Sequence, residues 1–273
     1  MTTLKIGVMA SLEHGPEKSL KEVHDFGLPT CQVSCWTRDL LTDAMADRLA
    51  AASAANDVEI TTMWVGSPDP HIWDFVQGPV SIGLVPPQYR EARIEMYKAG
   101  ADFTARVGVK SMTTHAGFIP ENMTDPEYPG FIDALREVVE YCGERGLEFW
   151  FETGQETPVV LLRVIQDLGL DNLGINLDPA NLLMYGKANP VDALDVFGQY
   201  VRGVHAKDGE YPTNGRELGV EKPLGEGRVN FPVLIPKLKA LGYTGALTIE
   251  REISGPQQIA DIRNAIAVLE KLV

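Results

Sequence analysis

The chain has 273 residues, of which 44% are hydrophobic and 23% are charged, and its formal net charge is −14. This acidic balance argues against nucleic acid or an anionic membrane as a partner, because both require clustered Lys and Arg. The length allows a large core without disulfides, and we expect residues 1–273 to form a single domain.

The N-terminal sequence has no basic segment followed by a long apolar stretch, and no run reaches the roughly 18 apolar residues of a membrane span. We therefore expect a cytoplasmic protein. Three cysteines are present. Cys31 and Cys35 alternate with Val33 on one face of a predicted strand, so we interpret them as core thiols rather than as a metal or redox pair.

One pattern repeats eight times along the chain. A short apolar or alternating run is followed by polar or Gly/Pro residues and then by a stretch with helical periodicity. The predicted strands cover residues 4–10, 30–36, 59–66, 109–117, 147–153, 172–178, 201–208 and 246–252.

The clearest helical segments cover residues 129–146, 157–169 and 256–273. The first two end at Gly146 and Gly169, as helices commonly do. Thr157 and Pro158 open the second segment in the positions of an N-cap and of the first helical residue.

Eight such units fit either a closed (β/α)8 barrel or an open doubly wound sheet. No glycine-rich dinucleotide or Walker motif follows any predicted strand, and about 270 residues match a barrel. The predicted fold class is therefore α/β, a (β/α)8 TIM barrel. The connections at 67–86 and 209–230 are long, and we expect them to cover the site or to contact a substrate.

Four potential metal ligands stand at the ends of four successive predicted strands: Glu152, Asp178, His205 and Glu250. Each alone has an ordinary explanation, such as a helix N-cap or a hydrogen-bonded rim residue. Three acids brought close together would repel each other unless a cation compensated them, so the joint pattern predicts a metal site. Oxygen ligands with one imidazole suit Mn²⁺, Mg²⁺ or Co²⁺, with Zn²⁺ as a further option.

With the motifs "FETGQE", "NLDPAN", "VHAKDG", "LGEGRVNF" and "LTIERE", the chain resembles the xylose isomerase-like barrels. Within them it is similar to the sugar isomerase/epimerase family, which includes ketose 3-epimerases and inositol-catabolism enzymes. The resemblance implies that Glu152, Asp178, His205 and Glu250 bind one divalent ion, for which Mn²⁺ is our expectation. It also implies that Glu152 and Glu250 form the catalytic acid–base pair.

The chain departs from some relatives in this resemblance. Asn181 stands where many have a histidine three residues after the metal aspartate. The zinc endonucleases of the superfamily need several additional rim histidines and an Asp-x-His motif after strand seven. This chain has five histidines in all and no such motif there, which together with the net charge of −14 argues against a nuclease. Only Asp208 could extend the ligand set toward a second ion, so a single ion is favoured.

Four further residues are candidates for substrate binding. His115 ends the fourth predicted strand, and Glu156 follows Glu152 by four residues; the alternatives are a structural histidine and a helix-dipole partner. Lys207 lies near the same rim. Arg216 resembles the substrate-contacting arginine of the family, although a solvated loop charge is the alternative.

Aromatic residues could cover one face of a sugar: the loop 69–75, together with Trp36 and Trp64 near strand ends. They could equally belong to the core or to a subunit contact. Nothing in the sequence requires a phosphate site.

We therefore expect a metal-dependent isomerase or epimerase that transfers protons through an enediolate of an unphosphorylated ketose, keto-sugar or polyol. The alternative is a lyase or dehydratase that eliminates a β-substituent from an inosose or 3-keto-glycoside. A non-catalytic, sugar-sensing barrel is a third reading, against which the retained ligands argue. The expected partners are a small carbohydrate and further copies of the chain in a dimer or tetramer.

Overall fold

The computed structural model describes residues 3–273, so Met1 and Thr2 of the predicted domain lie outside it. Within that range, eight parallel strands close a barrel in the order β1-β10-β7-β6-β5-β4-β3-β2, which confirms the predicted fold class. The barrel strands are β1 (Ile6–Ser11), β2 (Thr30–Cys35), β3 (Glu59–Val65), β4 (Ser111–Thr114), β5 (Glu148–Glu152), β6 (Leu173–Leu177), β7 (Val201–Ala206) and β10 (Leu247–Ile249). Two further strands, β8 (Asp208–Gly209) and β9 (Glu221–Lys222), pair as a short antiparallel hairpin.

The α-helices follow the strands around the barrel. Their bounds are α1 (Pro16–Asp25), α2 (Asp43–Asn56), α3 (Arg90–Val107), α4 (Glu127–Gly143), α5 (Pro158–Leu168), α6 (Pro179–Met184), α7 (Pro190–Phe197), α8 (Phe231–Ala240) and α9 (Pro256–Leu269).

The sequence patterns predicted the elements well. Each of the eight predicted strand segments overlaps one barrel strand, and the three helical segments match α4, α5 and α9. Thr157 is the N-cap of α5, where its side chain accepts a hydrogen bond from the Val160 N–H. Gly169 ends α5 with φ at 60°, a conformation that glycine adopts without the steric penalty of other residues.

The connection between β6 and β7 differs from the predicted single helix. It contains the short helix α6 and then α7, so the strands and helices do not simply alternate. Asp178 caps α6 by accepting a hydrogen bond from Asn181 N–H, and Pro179 supplies the first residue. Asn189 caps α7 in the same way, and Pro190 follows it. Two capped starts within twelve residues account for the two helices.

One continuous core of aliphatic and aromatic side chains surrounds the barrel strands. All three cysteines are buried in it as free thiols, which confirms that prediction. Burial raises the pKa of Cys31 and Cys35 to about 12, so both thiols stay protonated and inert at neutral pH.

Two long connections sit at the C-terminal ends of the strands. Residues 66–89 join β3 to α3, and buried Arg93 of α3 fastens this segment by donating hydrogen bonds to the carbonyls of Pro70, Ser81 and Gly83. Residues 207–230 join β7 to α8 and contain the β8–β9 hairpin. No helix among residues 3–273 is long and apolar enough to cross a membrane.

Candidate metal centre and active site

Four side chains converge at the C-terminal rim of the barrel. Glu152 is the last residue of β5, Asp178 directly follows β6, His205 lies near the end of β7, and Glu250 directly follows β10. Each offers one ligand atom, and these atoms all lie within 4.8 Å of one another. They meet because apolar strands deliver them to the same end of the barrel, where such sites are found in this fold.

His205 Nδ1 lies at the centre of the cluster. It is 3.1 Å from Glu250 Oε2, 3.3 Å from Glu152 Oε1 and 3.7 Å from Asp178 Oδ2. Asp178 and His205 are fully buried, and Glu152 is 3% exposed. Only Glu250 reaches toward solvent, with 16% of its side chain exposed.

The cluster fits a divalent cation because it contains buried polar atoms that lack hydrogen bonds. Asp178 Oδ2, His205 Nδ1 and Glu250 Oε2 have no hydrogen-bond partner among the described residues. A buried polar atom without a partner costs about 1–3 kcal/mol, and an unpaired buried charge costs more. A metal ion held by these three atoms and Glu152 would remove that cost, and carboxylate oxygens with one imidazole are a donor set that Mn²⁺ and Mg²⁺ accept.

The electrostatics of the cluster show how strongly the groups act on one another. Burial opposes protonation of His205, but the carboxylates of Glu152 and Glu250 outweigh it and raise its pKa well above its usual value. Burial also opposes ionisation of Glu250, yet Lys207 and His205 hold the pKa of that carboxyl well below its usual range. For Asp178 burial prevails and raises the pKa. The protein thus concentrates negative charge here and compensates it only partly with its own cations.

Lys207 is buried and lies against the carboxylates of the cluster. Its Nζ is 2.8 Å from Glu252 Oε1, 3.3 Å from Glu250 Oε2 and 3.5 Å from Asp178 Oδ2. Burial lowers the pKa of Lys207 less than the three carboxylates raise it, so the ammonium stays charged. The structure therefore places this substrate-binding candidate against two of the predicted metal ligands, where it offsets part of their negative charge.

A cavity of about 420 Å³ opens directly above the cluster. Glu152 and Glu250 line it, whereas Asp178 and His205 do not. Of the four cluster residues, the two glutamates are thus the ones that a bound molecule in this cavity would meet. The tryptophans of the sequence prediction line the same cavity: Trp36, Trp64 and Trp73.

The aromatic wall also orients Glu152. The Trp64 indole N–H donates a hydrogen bond to Glu152 Oε2, which leaves Oε1 free to face His205. Trp36 packs on Trp64 with ring centroids 4.7 Å apart, and Trp73 contacts His115 edge-on at 5.2 Å. Trp73 comes from the 66–89 connection, so that connection closes one side of the cavity.

The other substrate-binding candidates lie in different settings. His115 lines the cavity, and its Nε2 is 3.5 Å from Glu152 Oε1. Glu156 is 3% exposed, does not line the cavity, and has no hydrogen-bond partner for either oxygen among residues 3–273. Arg216 is exposed on the connection after β7 and is not part of the cavity lining.

Asp208, the candidate ligand of a second ion, has a different role in the structure. Its two carboxylate oxygens accept hydrogen bonds from the backbone N–H groups of Gly209, Gly225, Gly227 and Val229. These four donors occupy the carboxylate and tie the end of the β7–α8 connection to the β8–β9 hairpin. Within residues 3–273, the cluster around His205 is the only group of three or more His, Cys, Asp or Glu side chains found close enough to hold a metal.

Three polar residues that contact the cluster or line the cavity were not among the predicted site residues, although Asn181 was noted for its position after Asp178. Gln32 and Asn176 are buried inside the barrel and contact the far side of the His205 ring. Asn181 lines the cavity, and its Oδ1 accepts a hydrogen bond from Lys207. An amide in the middle of an apolar strand was the signal that could have indicated the first two.

The chain also matches a known protein family. The model of the xylose isomerase-like TIM barrel family matches residues 20–272. The chain therefore belongs to the xylose isomerase-like TIM barrel family, as its motifs predicted.

Individual relatives give further detail. An uncharacterized protein of Methanocaldococcus jannaschii is 28% identical over 174 residues, which cover 60% of this chain and 58% of that relative's length. The crystal structure of a xylose isomerase domain protein from Planctomyces limnophilus is 33% identical, with a TM-score of 0.93 over 99% of this chain and 97% of that chain.

Two more distant structures share the fold. A 3-keto-D-glucoside 4-epimerase from E. coli is 18% identical, with a TM-score of 0.72 over 98% of this chain and 99% of that chain. A probable 3-DHS dehydratase from Bacillus anthracis is 17% identical, with a TM-score of 0.70 over 97% of this chain and 99% of that chain.

Proposed function

We propose that this protein is a divalent-metal-dependent sugar isomerase or epimerase that acts on an unphosphorylated ketose, keto-sugar or related polyol. The observation that carries the proposal is that two of the four cluster residues also line the cavity. Four ligand atoms lie within 4.8 Å of one another, and the two glutamates among them also face the cavity. The same site therefore offers a place for a metal ion and two carboxyl groups for proton transfer.

Glu152, Asp178, His205 and Glu250 would hold the ion. When bound, the ion acts as a Lewis acid that polarises a substrate carbonyl and its neighbouring hydroxyl.

The chain's own groups would move the proton. One glutamate, as a carboxylate, removes the proton from the carbon next to the carbonyl, and the electron pair of that C–H bond forms the double bond of an enediolate. The other glutamate takes up a proton from the solvent and delivers it to the enediolate. Return to the same carbon from the opposite face gives an epimer, and return to the adjacent carbon interconverts aldose and ketose. Both routes leave the mass of the sugar unchanged.

The charges of the site favour a neutral substrate. The carboxylates of Glu152, Asp178 and Glu250 would be balanced by Lys207 and one divalent ion. Among the described residues that line the cavity, Arg251 is the only lysine or arginine, and it pairs with Glu221 and Asp261 at 2.8 Å each. A phosphate group would find no free cation there.

We also propose that the ion is Mn²⁺ and that the chain folds as a single domain. We expect the protein to form a dimer or tetramer in solution and to be cytoplasmic. The acid-rich donor set supports Mn²⁺ over Zn²⁺. Light scattering on the purified protein tests the oligomer.

A lyase or dehydratase is the second candidate. It begins with the same proton abstraction, after which the enediolate expels a β-substituent. The fold that the chain shares with the probable dehydratase of Bacillus anthracis supports this second candidate.

The experiment is a substrate panel in deuterated water. Chelator-treated protein with Mn²⁺ restored is incubated with ketoses, aldoses, inososes and 3-keto-glycosides, and the products are analysed by mass spectrometry and NMR. We expect an isomeric product with deuterium at the α-carbon. Loss of water or of an aglycone would identify the lyase, and the absence of metal-dependent exchange on any sugar would contradict both.

Two variants of the β6 region provide the matched comparison. Asp178→Asn removes one predicted ligand at the C-terminal end of the strand and should abolish the exchange. Asp171→Asn changes an exposed carboxylate just before the other end of the strand and should leave the exchange unchanged.

A further inference from the structure

The interior of the barrel contains a buried polar triad beneath the metal cluster. Gln32 of β2 is 1% exposed, and Asn176 of β6 and His205 of β7 are fully buried. Amide groups in such a place cost free energy unless they are paired, and these are paired with one another. Gln32 Nε2 donates a hydrogen bond to Asn176 Oδ1 at 2.8 Å, and His205 Nε2 lies 2.8 Å from Gln32 Oε1.

The two nitrogens of the His205 ring face different surroundings. Nδ1 faces the carboxylates of the cluster, and Nε2 faces the two amides. Asn176 Nδ2 is also close to Nε2, at 3.0 Å; as a donor it can pair with Nε2 only when that nitrogen carries no proton, so it competes there with the Gln32 oxygen. Because Gln32 already donates through its Nε2 to Asn176, its oxygen is the atom that faces the ring.

We propose that Gln32, held in place by Asn176, is a positioning residue that keeps a proton on His205 Nε2. A neutral imidazole carries one proton, so a proton kept on Nε2 leaves the Nδ1 lone pair available for the metal ion. This inference rests on the proposed function, since it assigns the triad to the same metal centre.

Without an acceptor at Nε2, the His205 ring could adopt the other tautomer, which carries its proton on Nδ1. With the proton on Nδ1, the ring would donate to Glu152 or Glu250, whose oxygens are only 3.3 and 3.1 Å away. That arrangement would block the ligand atom. The acceptor on Nε2 counters it, and because Gln32 is neutral it adds no fourth acid to the three carboxylates above.

The binding test uses Gln32→Met, which keeps the length of the side chain but removes the acceptor. Chelator-treated protein is titrated with Co²⁺ by calorimetry, and we expect the variant to bind about 10- to 100-fold more weakly than wild type. Thr62→Val is the matched control: it removes a buried hydroxyl of β3 that donates to the Ser111 carbonyl. This control should bind Co²⁺ as wild type does.

A second measurement observes the His205 ring of the wild-type protein directly. In wild-type protein labelled with ¹⁵N-histidine and loaded with diamagnetic Zn²⁺, the His205 ring should show a slowly exchanging hydrogen on Nε2 and none on Nδ1. His205→Asn assigns the signal by removing it. A ring with the hydrogen on Nδ1 would overturn the proposal.

The remaining outcomes separate the inference from the function beneath it. Wild-type protein that binds no metal would overturn both. Wild-type protein that binds Co²⁺, with Gln32→Met binding equally well or Thr62→Val binding as weakly as Gln32→Met, would overturn the positioning role alone.

Discussion

At the scale of single residues, Glu156 shows what burial does to a carboxyl group without a partner. Burial raises its pKa from the usual 4.5 to about 7. In the unfolded chain this carboxyl ionises near 4.5, so between these two values the folded protein binds more protons than the unfolded one. The contribution of Glu156 to stability is therefore fully present below pH 4.5 and is lost as the pH rises to about 7.

This predicts the behaviour of Glu156→Gln, which cannot ionise. Its free energy of unfolding relative to wild type should rise between pH 4.5 and 7, by an amount on the order of 3 kcal/mol, because one pKa unit corresponds to about 1.4 kcal/mol. Urea titrations of both proteins at several pH values measure the difference. A difference that stays constant with pH would show that Glu156 is solvated.

The sequence predicted some site residues and missed others for a physical reason. Glu152, Asp178, His205 and Glu250 could be predicted because each ends an apolar strand, and parallel strands bring such ends together. The pairing of Gln32 could not be predicted, because its partners Asn176 and His205 are 144 and 173 residues away along the chain. A single sequence does not indicate which strands face each other across the barrel at that height.

At the scale of elements, one buried side chain contacts several parts of the 66–89 connection. Arg93 is fully buried and donates hydrogen bonds to carbonyls of that connection, which carries Trp73 into the cavity wall. The sequence predicted a long segment here, but not its anchor, since Arg93 reads as an ordinary polar position of a helix. Buried hydrogen bonds from a charged group contribute about 1.5–3 kcal/mol each.

Arg93→Met should therefore loosen the connection. We expect faster amide hydrogen exchange across residues 67–86 and a loss of stability of several kcal/mol, because the substitution removes all three of these hydrogen bonds. Arg106→Met on the same helix removes an exposed ion pair with Asp47 and should change neither. Equal exchange in the two variants would mean that the connection does not depend on Arg93.

The β6–β7 connection shows that helical periodicity in the sequence predicts short helices poorly. Helix α6 has six residues, fewer than two turns, so its apolar spacing carries little information. Its start was nevertheless visible, because Asp178-Pro179 is a cap followed by a helix-starting proline. The same aspartate caps α6 with Oδ1 and presents Oδ2 to the cluster, so the helix start also orients the predicted ligand.

At the scale of the whole molecule, the barrel holds three buried carboxylates at one rim, and a bound cation should stabilise the fold. We expect Mn²⁺ at a hundred times its Kd to raise the free energy of unfolding by about 2.7 kcal/mol, with a matching rise in Tm. Thermal denaturation of chelator-treated and Mn²⁺-loaded protein measures it. Asp178→Asn should lose most of this gain; an undiminished gain would place the ion elsewhere.

The fold itself was the most predictable level, because eight strand patterns in succession exclude almost every other architecture. The identity of the proposed substrate was the least predictable feature. It depends on the shape of a cavity assembled from strand ends, the 66–89 connection, the β7–α8 connection and α9, which only the folded chain brings together.

The most direct test of the central claim is anomalous diffraction from crystals of the Mn²⁺-loaded protein. We expect one strong peak per chain at the rim of the barrel, about 2.0–2.3 Å from oxygens of Glu152, Asp178 and Glu250 and from His205 Nδ1. A peak at any other position, or none at saturating Mn²⁺, would contradict it.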